Sequence, residues 1–202
     1  MINYVTKLDN GIIDEDYYLG VRDKYNYNLK NGIYDLEMAG LLIWLNKHCF
    51  NGLYRVNSNG YFNVPWSHGK SKSIDPLNIK LVGKYLKRVQ ISNLDFEEFL
   101  KNCRMGDFVY FDPPYAPESN PASFTSYTEN SFNLNDQLRV FNCFKTLTNR
   151  KVFCMLSNSN TEFCRELYQE FNVDMVFVKR SINSDCSRRF SAEIIVTNYS
   201  KF

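Results

Sequence analysis

No Cys-x-x-Cys pair occurs in this 202-residue chain, and its two histidines, His48 and His68, are not spaced as metal ligands beside the cysteines. No metal centre is therefore expected. The six cysteines (Cys49, Cys103, Cys143, Cys154, Cys164 and Cys186) read as inert thiols of a reducing compartment. The longest apolar run, from Met38 to Trp44, is interrupted by Gly40 and falls far short of the ~20 residues a bilayer span needs. The first residues show no basic stretch followed by an apolar segment and a small-residue cleavage site. Heptads, collagen-like triplets and internal repeats are also absent. The expectation is a cytoplasmic or other reducing intracellular location, a virus-infected host cell included, with no membrane partner.

What is present is an ordinary globular composition, 44% apolar and 23% charged. That suits one domain, or one domain with a small insertion, and excludes disorder. The net charge is only +2, but its distribution is uneven. Lys70, Lys72, Lys80, Lys84, Lys87 and Arg88 crowd one stretch, and Lys179, Arg180, Arg188 and Arg189 another. Two basic clusters suggest a side that faces a polyanion; a solvated, lysine-rich helix face is the alternative.

Residues 1–33 are polar, rich in Asn, Asp and Tyr, and weakly periodic, so an irregular segment is expected there. Residues 35–50 read as an apolar-faced helix. Two short runs, 53–56 and 61–64, flank the turn Asn57-Ser58-Asn59-Gly60 and predict a hairpin. Asp75-Pro76 opens a second helix reaching about Arg88. Beyond it come a short β-like run at 89–92, a short helix at 95–102 and a buried strand at 107–111. A loop to Phe132, a helix at 134–147, a strand at 151–156, a helix at 160–171 and strands at 173–178 and 193–198 complete the pattern. Alternation of strands with helices predicts a mostly parallel α/β sheet, its last pair antiparallel at an edge. The expected parts are an N-terminal segment 1–33, a helical and hairpin region 34–88, and an α/β part 89–202.

Ligands in such sheets sit at the carboxyl ends of strands, and there the chain has Asp112-Pro113-Pro114-Tyr115. Two prolines give a stiff loop without N–H donors, so its carbonyls are free to accept. Asp112 adds an acceptor and Tyr115 a flat ring. Together they suit a planar group that carries an NH₂. An amino group on a heteroaromatic ring is a poor nucleophile, because its lone pair is delocalised; holding both hydrogens would localise that pair. An Asp-initiated turn with a packed Tyr is the plain alternative.

These residues resemble the Dam-type DNA adenine methyltransferases, whose hallmark is a DPPY after a strand, with an alpha-type motif order. The likeness runs from about Asn46 to Tyr199. It rests on Asn51-Gly52-Leu53-Tyr54-Arg55 with Tyr61-Phe62-Asn63-Val64-Pro65, on Val109 to Pro117 with Phe124-Thr125-Ser126-Tyr127, on Leu156-Ser157-Asn158, and on Val178-Lys179-Arg180-Ser181-Ile182. The resemblance implies a Rossmann-like sheet, with a small helical and hairpin insertion for DNA. It implies methyl transfer from S-adenosylmethionine to the amino group of an adenine flipped out of duplex DNA. Asp112, Pro113, Pro114 and Tyr115 would be catalytic, with Asp112 also touching the cofactor. Arg55 matches an arginine that reads guanine, and Leu53 and Pro65 match apolar contacts to a neighbouring pair. Phe50 and Asn51 match residues that fill the gap beside the flipped base. Lys70, Lys179 and Arg180 would contact phosphates. These matches imply GATC as the recognition sequence. His68-Gly69-Lys70 departs from the family's basic-aromatic-basic run.

The family's early K-W-x-G-G-K stretch, its F-x-G-x-G turn and the acidic residue that holds the cofactor ribose have no match here. The expectation is therefore an N-terminally truncated member whose sheet lacks its first strands. Such a chain would act as a methyltransferase, alone or with a second chain supplying the cofactor-binding half, or persist as a non-catalytic DNA-binding remnant. A site for RNA or protein glutamine, of the N-P-P-Y kind, is disfavoured by the aspartate at 112.

Overall fold

In the computed structural model the described residues are 1–117, 132–179 and 190–200. They fall into two units, Met1–Ile91 and Ser92–Phe202. No helix among them is long and apolar enough to cross a membrane.

The first unit is helical: α1 (Ile2–Asp9), α2 (Glu15–Lys30), α3 (Leu36–His48), a 3₁₀ turn at Phe50–Gly52 and α4 (Pro76–Leu86). The segment 1–33, expected to be irregular, is thus helical over most of its length. Its buried stripe explains the miss. Tyr18, Val21, Tyr25 and Asn28 recur at helical spacing, but tyrosine and asparagine do not register as an apolar face. The cap is conventional: Asp14 Oδ1 accepts from Tyr17 N at 2.8 Å, and Glu15 and Asp16 sit in the first turn, where the helix dipole favours acids.

The core of this unit gathers Tyr18, Leu41, Trp44, Leu45, Phe62 and Val64. Two polar side chains then fasten the segment after α3 to α2. Tyr18 Oη donates to the Val64 carbonyl at 2.8 Å. Asn26 pairs with the Phe62 backbone in both directions, accepting from its N–H at 2.9 Å and donating to its carbonyl at 3.0 Å. The asparagine therefore does for Phe62 what a neighbouring strand would do. The predicted hairpin is present in reduced form, closed by one bridge between Val56 and Phe62. Its turn is built by Asn57, whose side chain accepts from the N–H groups of Asn59 and Tyr61 at 3.0 Å each. Helix α4 begins where Asp75-Pro76 places it, with Asp75 accepting from Leu77 N at 2.9 Å, and it buries none of its residues.

The second unit holds α5 (Phe96–Leu100), β1 (Phe108–Phe111), α6 (Leu134–Asn149), β2 (Phe153–Ser159), α7 (Glu162–Leu167), β3 (Asn172–Lys179) and β4 (Phe190–Thr197). The run at 89–92, expected to be β-like, lies outside the sheet. No described strand takes up its N–H and C=O groups, and an apolar run forms a strand only where a ladder does so. The sheet order is β1-β2-β4-β3. β1 pairs parallel with β2, and β4 is antiparallel to both β2 and β3. Three strands therefore share one direction, and the last enters reversed between its neighbours. Such a mixed α/β sheet is consistent with the methyltransferase fold that the resemblance implies. One sheet face packs Cys154, Leu156, Ile194 and Val196 against Val140, Phe144 and Leu147 of α6. On the other face Phe108, Tyr110 and Phe153 are exposed.

Candidate active site

Strand β1 delivers Asp112 directly from its buried last residue, Phe111. Because side chains alternate along a strand, Tyr110 and Asp112 fall on the same face. Ser157, next door on β2, joins them. Tyr110 Oη donates to Ser157 Oγ at 2.8 Å, and Ser157 Oγ donates to Asp112 Oδ1 at 3.0 Å. This file of hydroxyls fixes the carboxylate rotamer. It leaves Oδ2 without a hydrogen-bond partner among the described residues, on a side chain exposed to solvent.

The prolines behave as their chemistry requires. Neither can donate, so the backbone at 113 and 114 interacts only through carbonyls. That of Pro114 is taken by Gln137, whereas that of Pro113 accepts nothing among the described residues. Next to it, Tyr115 Oη donates to Glu193 Oε2 of β4 at 3.1 Å. Partial burial raises the Tyr115 phenol above its ordinary range, and the Glu193 carboxylate adds to the rise while Ser157 opposes it. The ring is thereby held as a neutral, half-buried plate.

Tyr110 and Glu193 escaped the sequence reading. Tyr110 lay inside a quoted run but carried no role, and Glu193 is 78 residues from its partner Tyr115. Only the alternation of β1 could have flagged Tyr110, and nothing local flags Glu193.

The residues from Phe50 to Lys70 expected to contact DNA lie in the first unit, and those before Lys70 cluster around the hairpin. Phe50 is exposed, and its N–H donates to the Pro65 carbonyl at 2.9 Å. That bond brings the two ends of the recognition segment together. Asn51 adopts φ 54°, a left-handed conformation that asparagine tolerates better than most residues. Leu53 is half-buried, while Pro65 and Lys70 are exposed. Arg55 is exposed and held from one side only. Its Nε donates to Asn63 Oδ1 at 2.8 Å and its Nη2 to the Asn63 carbonyl at 3.1 Å. Nη1 has no partner among the described residues. Lys179 is the last residue of β3, in register with Phe190. Arg180, Arg188, Arg189 and the Phe124–Tyr127 block fall outside the described residues.

Comparison with known proteins identifies the family. Residues 2–182 match the family model of the D12 class N6 adenine-specific DNA methyltransferases. The chain is 41% identical over 189 residues to the type II methyltransferase M1.LlaDCHI of Lactococcus lactis subsp. cremoris, covering 92% of this chain and 66% of that protein. It is 43% identical to the type II methyltransferase M.MjaIII of Methanocaldococcus jannaschii, covering 92% of this chain and 65% of that protein. The DNA adenine methylase of Serratia marcescens is 29% identical over 186 residues. The chain thus spans about two thirds of the length of these curated relatives. The strand-borne DPPY, the hairpin and the match over nearly the whole sequence make this chain a member of the D12 class N6 adenine-specific DNA methyltransferase family.

Proposed function

We propose that this protein methylates the exocyclic amino group of an adenine flipped out of duplex DNA, within GATC, using S-adenosylmethionine as methyl donor. The observation that carries this reading is the acceptor set at the end of β1. Asp112, steadied through Oδ1 by Ser157, and the Pro113 carbonyl, unengaged among the described residues, offer two acceptors for the two hydrogens of one amino group. Holding both hydrogens localises the nitrogen lone pair and directs it. The Tyr115 ring supplies a stacking surface for the base, and orientation of this kind can supply a large part of the barrier reduction.

S-adenosylmethionine, when bound, supplies a methyl group on an electrophilic sulfonium. The reacting end of the site suits a cationic donor, since Asp112 and the Pro113 carbonyl are acceptors only. No Gly-x-Gly occurs in the chain to approach the rest of the cofactor. A segment outside this sequence carrying that half fits one observation. β1 is the terminal strand of the sheet, and Phe108, Tyr110 and Phe153 on its open face are 57%, 52% and 49% exposed. Strands of this direction are ordinarily covered on both faces, so this edge and face suit a further parallel strand and its covering helix.

On the hairpin, the Arg55 guanidinium is anchored by Asn63 through one edge and keeps Nη1 for a guanine, the pairing that a planar fork favours. Phe50, Asn51, Leu53 and Pro65 would meet the bases beside it, and Lys70, Lys179 and Arg180 the phosphates. The test is methyl incorporation into matched GATC and scrambled duplexes by wild type and Arg55→Ala. Wild type should favour GATC, and the variant should lose about ten- to hundredfold of that preference. An unchanged preference in Arg55→Ala would remove Arg55 from the reading of sequence.

A further inference from the structure

The loop 112–116 faces a mechanical problem. With two prolines in succession, few backbone groups remain by which the protein can grip it. Two buried amides do so. Asn158 Oδ1 accepts from Ala116 N at 2.9 Å and from Ser159 N at 2.8 Å. Asn158 Nδ2 donates to Gln137 Oε1 at 3.1 Å, and Gln137 Nε2 donates to the Pro114 carbonyl at 2.8 Å. The two side chains are 0% and 1% exposed.

Backbone chemistry fixes the polarity of this circuit. An N–H can only donate, so an oxygen of Asn158 must face Ala116. That leaves the Asn158 NH₂ to donate to Gln137, and the Gln137 NH₂ for a carbonyl that can only accept. The circuit leaves the loop at Ala116 and returns to it at Pro114. Its two amides come from different elements, β2 and the first turns of α6. That helix is itself fixed by a capping box between Asn133 and Asp136. Only a residue that both donates and accepts can stand at 137 or 158.

We propose that Gln137 and Asn158 are positioning residues that select the carbonyl the loop presents. By engaging Pro114 they leave Pro113, which has no partner among the described residues, as the acceptor beside Asp112. This rests on the methyl-transfer reading, in which that carbonyl and Asp112 hold the amino hydrogens. Neither amide touches the substrate; each acts through the loop.

The test uses the full chain and two isosteric variants that change hydrogen-bond character without changing volume. Gln137→Glu replaces the donor to Pro114 with an acceptor, and Asn158→Asp replaces the donor to Gln137. Amide hydrogen exchange is followed at Ala116 and along β2, together with kcat and KM for methyl transfer to duplex DNA. Both variants keep an oxygen facing the Ala116 N–H and lose the tie to Pro114, so exchange at Ala116 should quicken a few-fold as the loop loosens, while β2 stays protected. The value of kcat should fall about 10- to 100-fold, with KM for DNA within about twofold. Unchanged exchange at Ala116 in both variants overturns the proposal, as does faster exchange with an unchanged kcat. If wild type transfers no methyl group, the methyl-transfer reading fails on its own, and the exchange measurement alone decides whether the amides hold the loop.

Discussion

The loop after β1 and the hairpin of the first unit both carry candidate functional side chains, yet they are held in opposite ways. The loop is gripped by buried amides 23 and 42 residues away in sequence. The hairpin closes through a single bridge, and its arginine is held by exposed bonds to a residue eight positions away. Burial makes the first set costly to break, because an orphaned amide has no water to turn to. Exposure makes the second set cheap to exchange for new partners. The contrast fits two different tasks: chemistry demands fixed geometry to a fraction of an ångström, whereas a reading head must trade its own hydrogen bonds for those of a base. Even so, the Asn26 and Tyr18 bonds to residues 62 and 64 fasten one strand of the hairpin to α2, while its turn is closed by local, exposed bonds alone.

The sharpest way to break the comparison is through Asp112. It is exposed, so Asp112→Ala should leave the melting temperature nearly unchanged while lowering methyl transfer by about 10²–10³-fold, the usual loss for one charged or hydrogen-bonding group at a reacting centre. A large fall in stability would mean that the carboxylate is structural. Next in size is a pair of asparagines that serve the two regions. Asn158→Ala strips buried partners from Ala116 and Gln137 and should cost about 1–3 kcal/mol in chemical denaturation for each group left unsatisfied. Asn63→Ala removes one exposed bond to Arg55, leaving the bond to its backbone carbonyl, and should stay within about 0.5 kcal/mol. Equal costs would erase the distinction between the regions.

Much of the frame could be read from the chain alone. The strand into DPPY, the helix opened by Asp75-Pro76, the helix after Phe132 and the antiparallel final pair all follow from local pattern. What could not be read has a common physical cause: it depends on partners remote in sequence, or on residues of mixed character. Helix α2 hides its buried face behind tyrosines. The run 89–92 has strand composition but no described ladder. Glu193 and Gln137 acquire meaning only when β4 and α6 are packed beside the loop.

Smaller effects sharpen the picture further. Tyr115→Phe keeps the ring and removes the bond to Glu193, so kcat should fall only a few-fold, about what one part-buried hydrogen bond is worth, whereas Tyr115→Ala should lose far more. A result in which both variants are equally impaired would assign the role to the hydroxyl. The smallest expected effect is a pH dependence away from both regions. A hydrogen bond from Arg139 holds the Asp95 carboxyl below its ordinary range, aided by the Glu97 N–H. A depressed carboxylate stabilises the fold above its unfolded value of about 3.9 and loses that contribution as pH falls through the folded value. The melting-temperature advantage of wild type over Asp95→Asn should therefore persist at neutral pH and shrink below about pH 4. An advantage that grows on acidification would contradict the assignment.

The most direct measurement is transfer of a labelled methyl group from S-adenosylmethionine to a GATC duplex, by wild type and by Asp112→Ala side by side. Methyl transfer through the DPPY loop requires incorporation at the adenine amino group with wild type, and its loss in the variant. Equal incorporation by both, or none by the wild-type chain while it still binds the duplex, would contradict the assignment of this chemistry to Asp112.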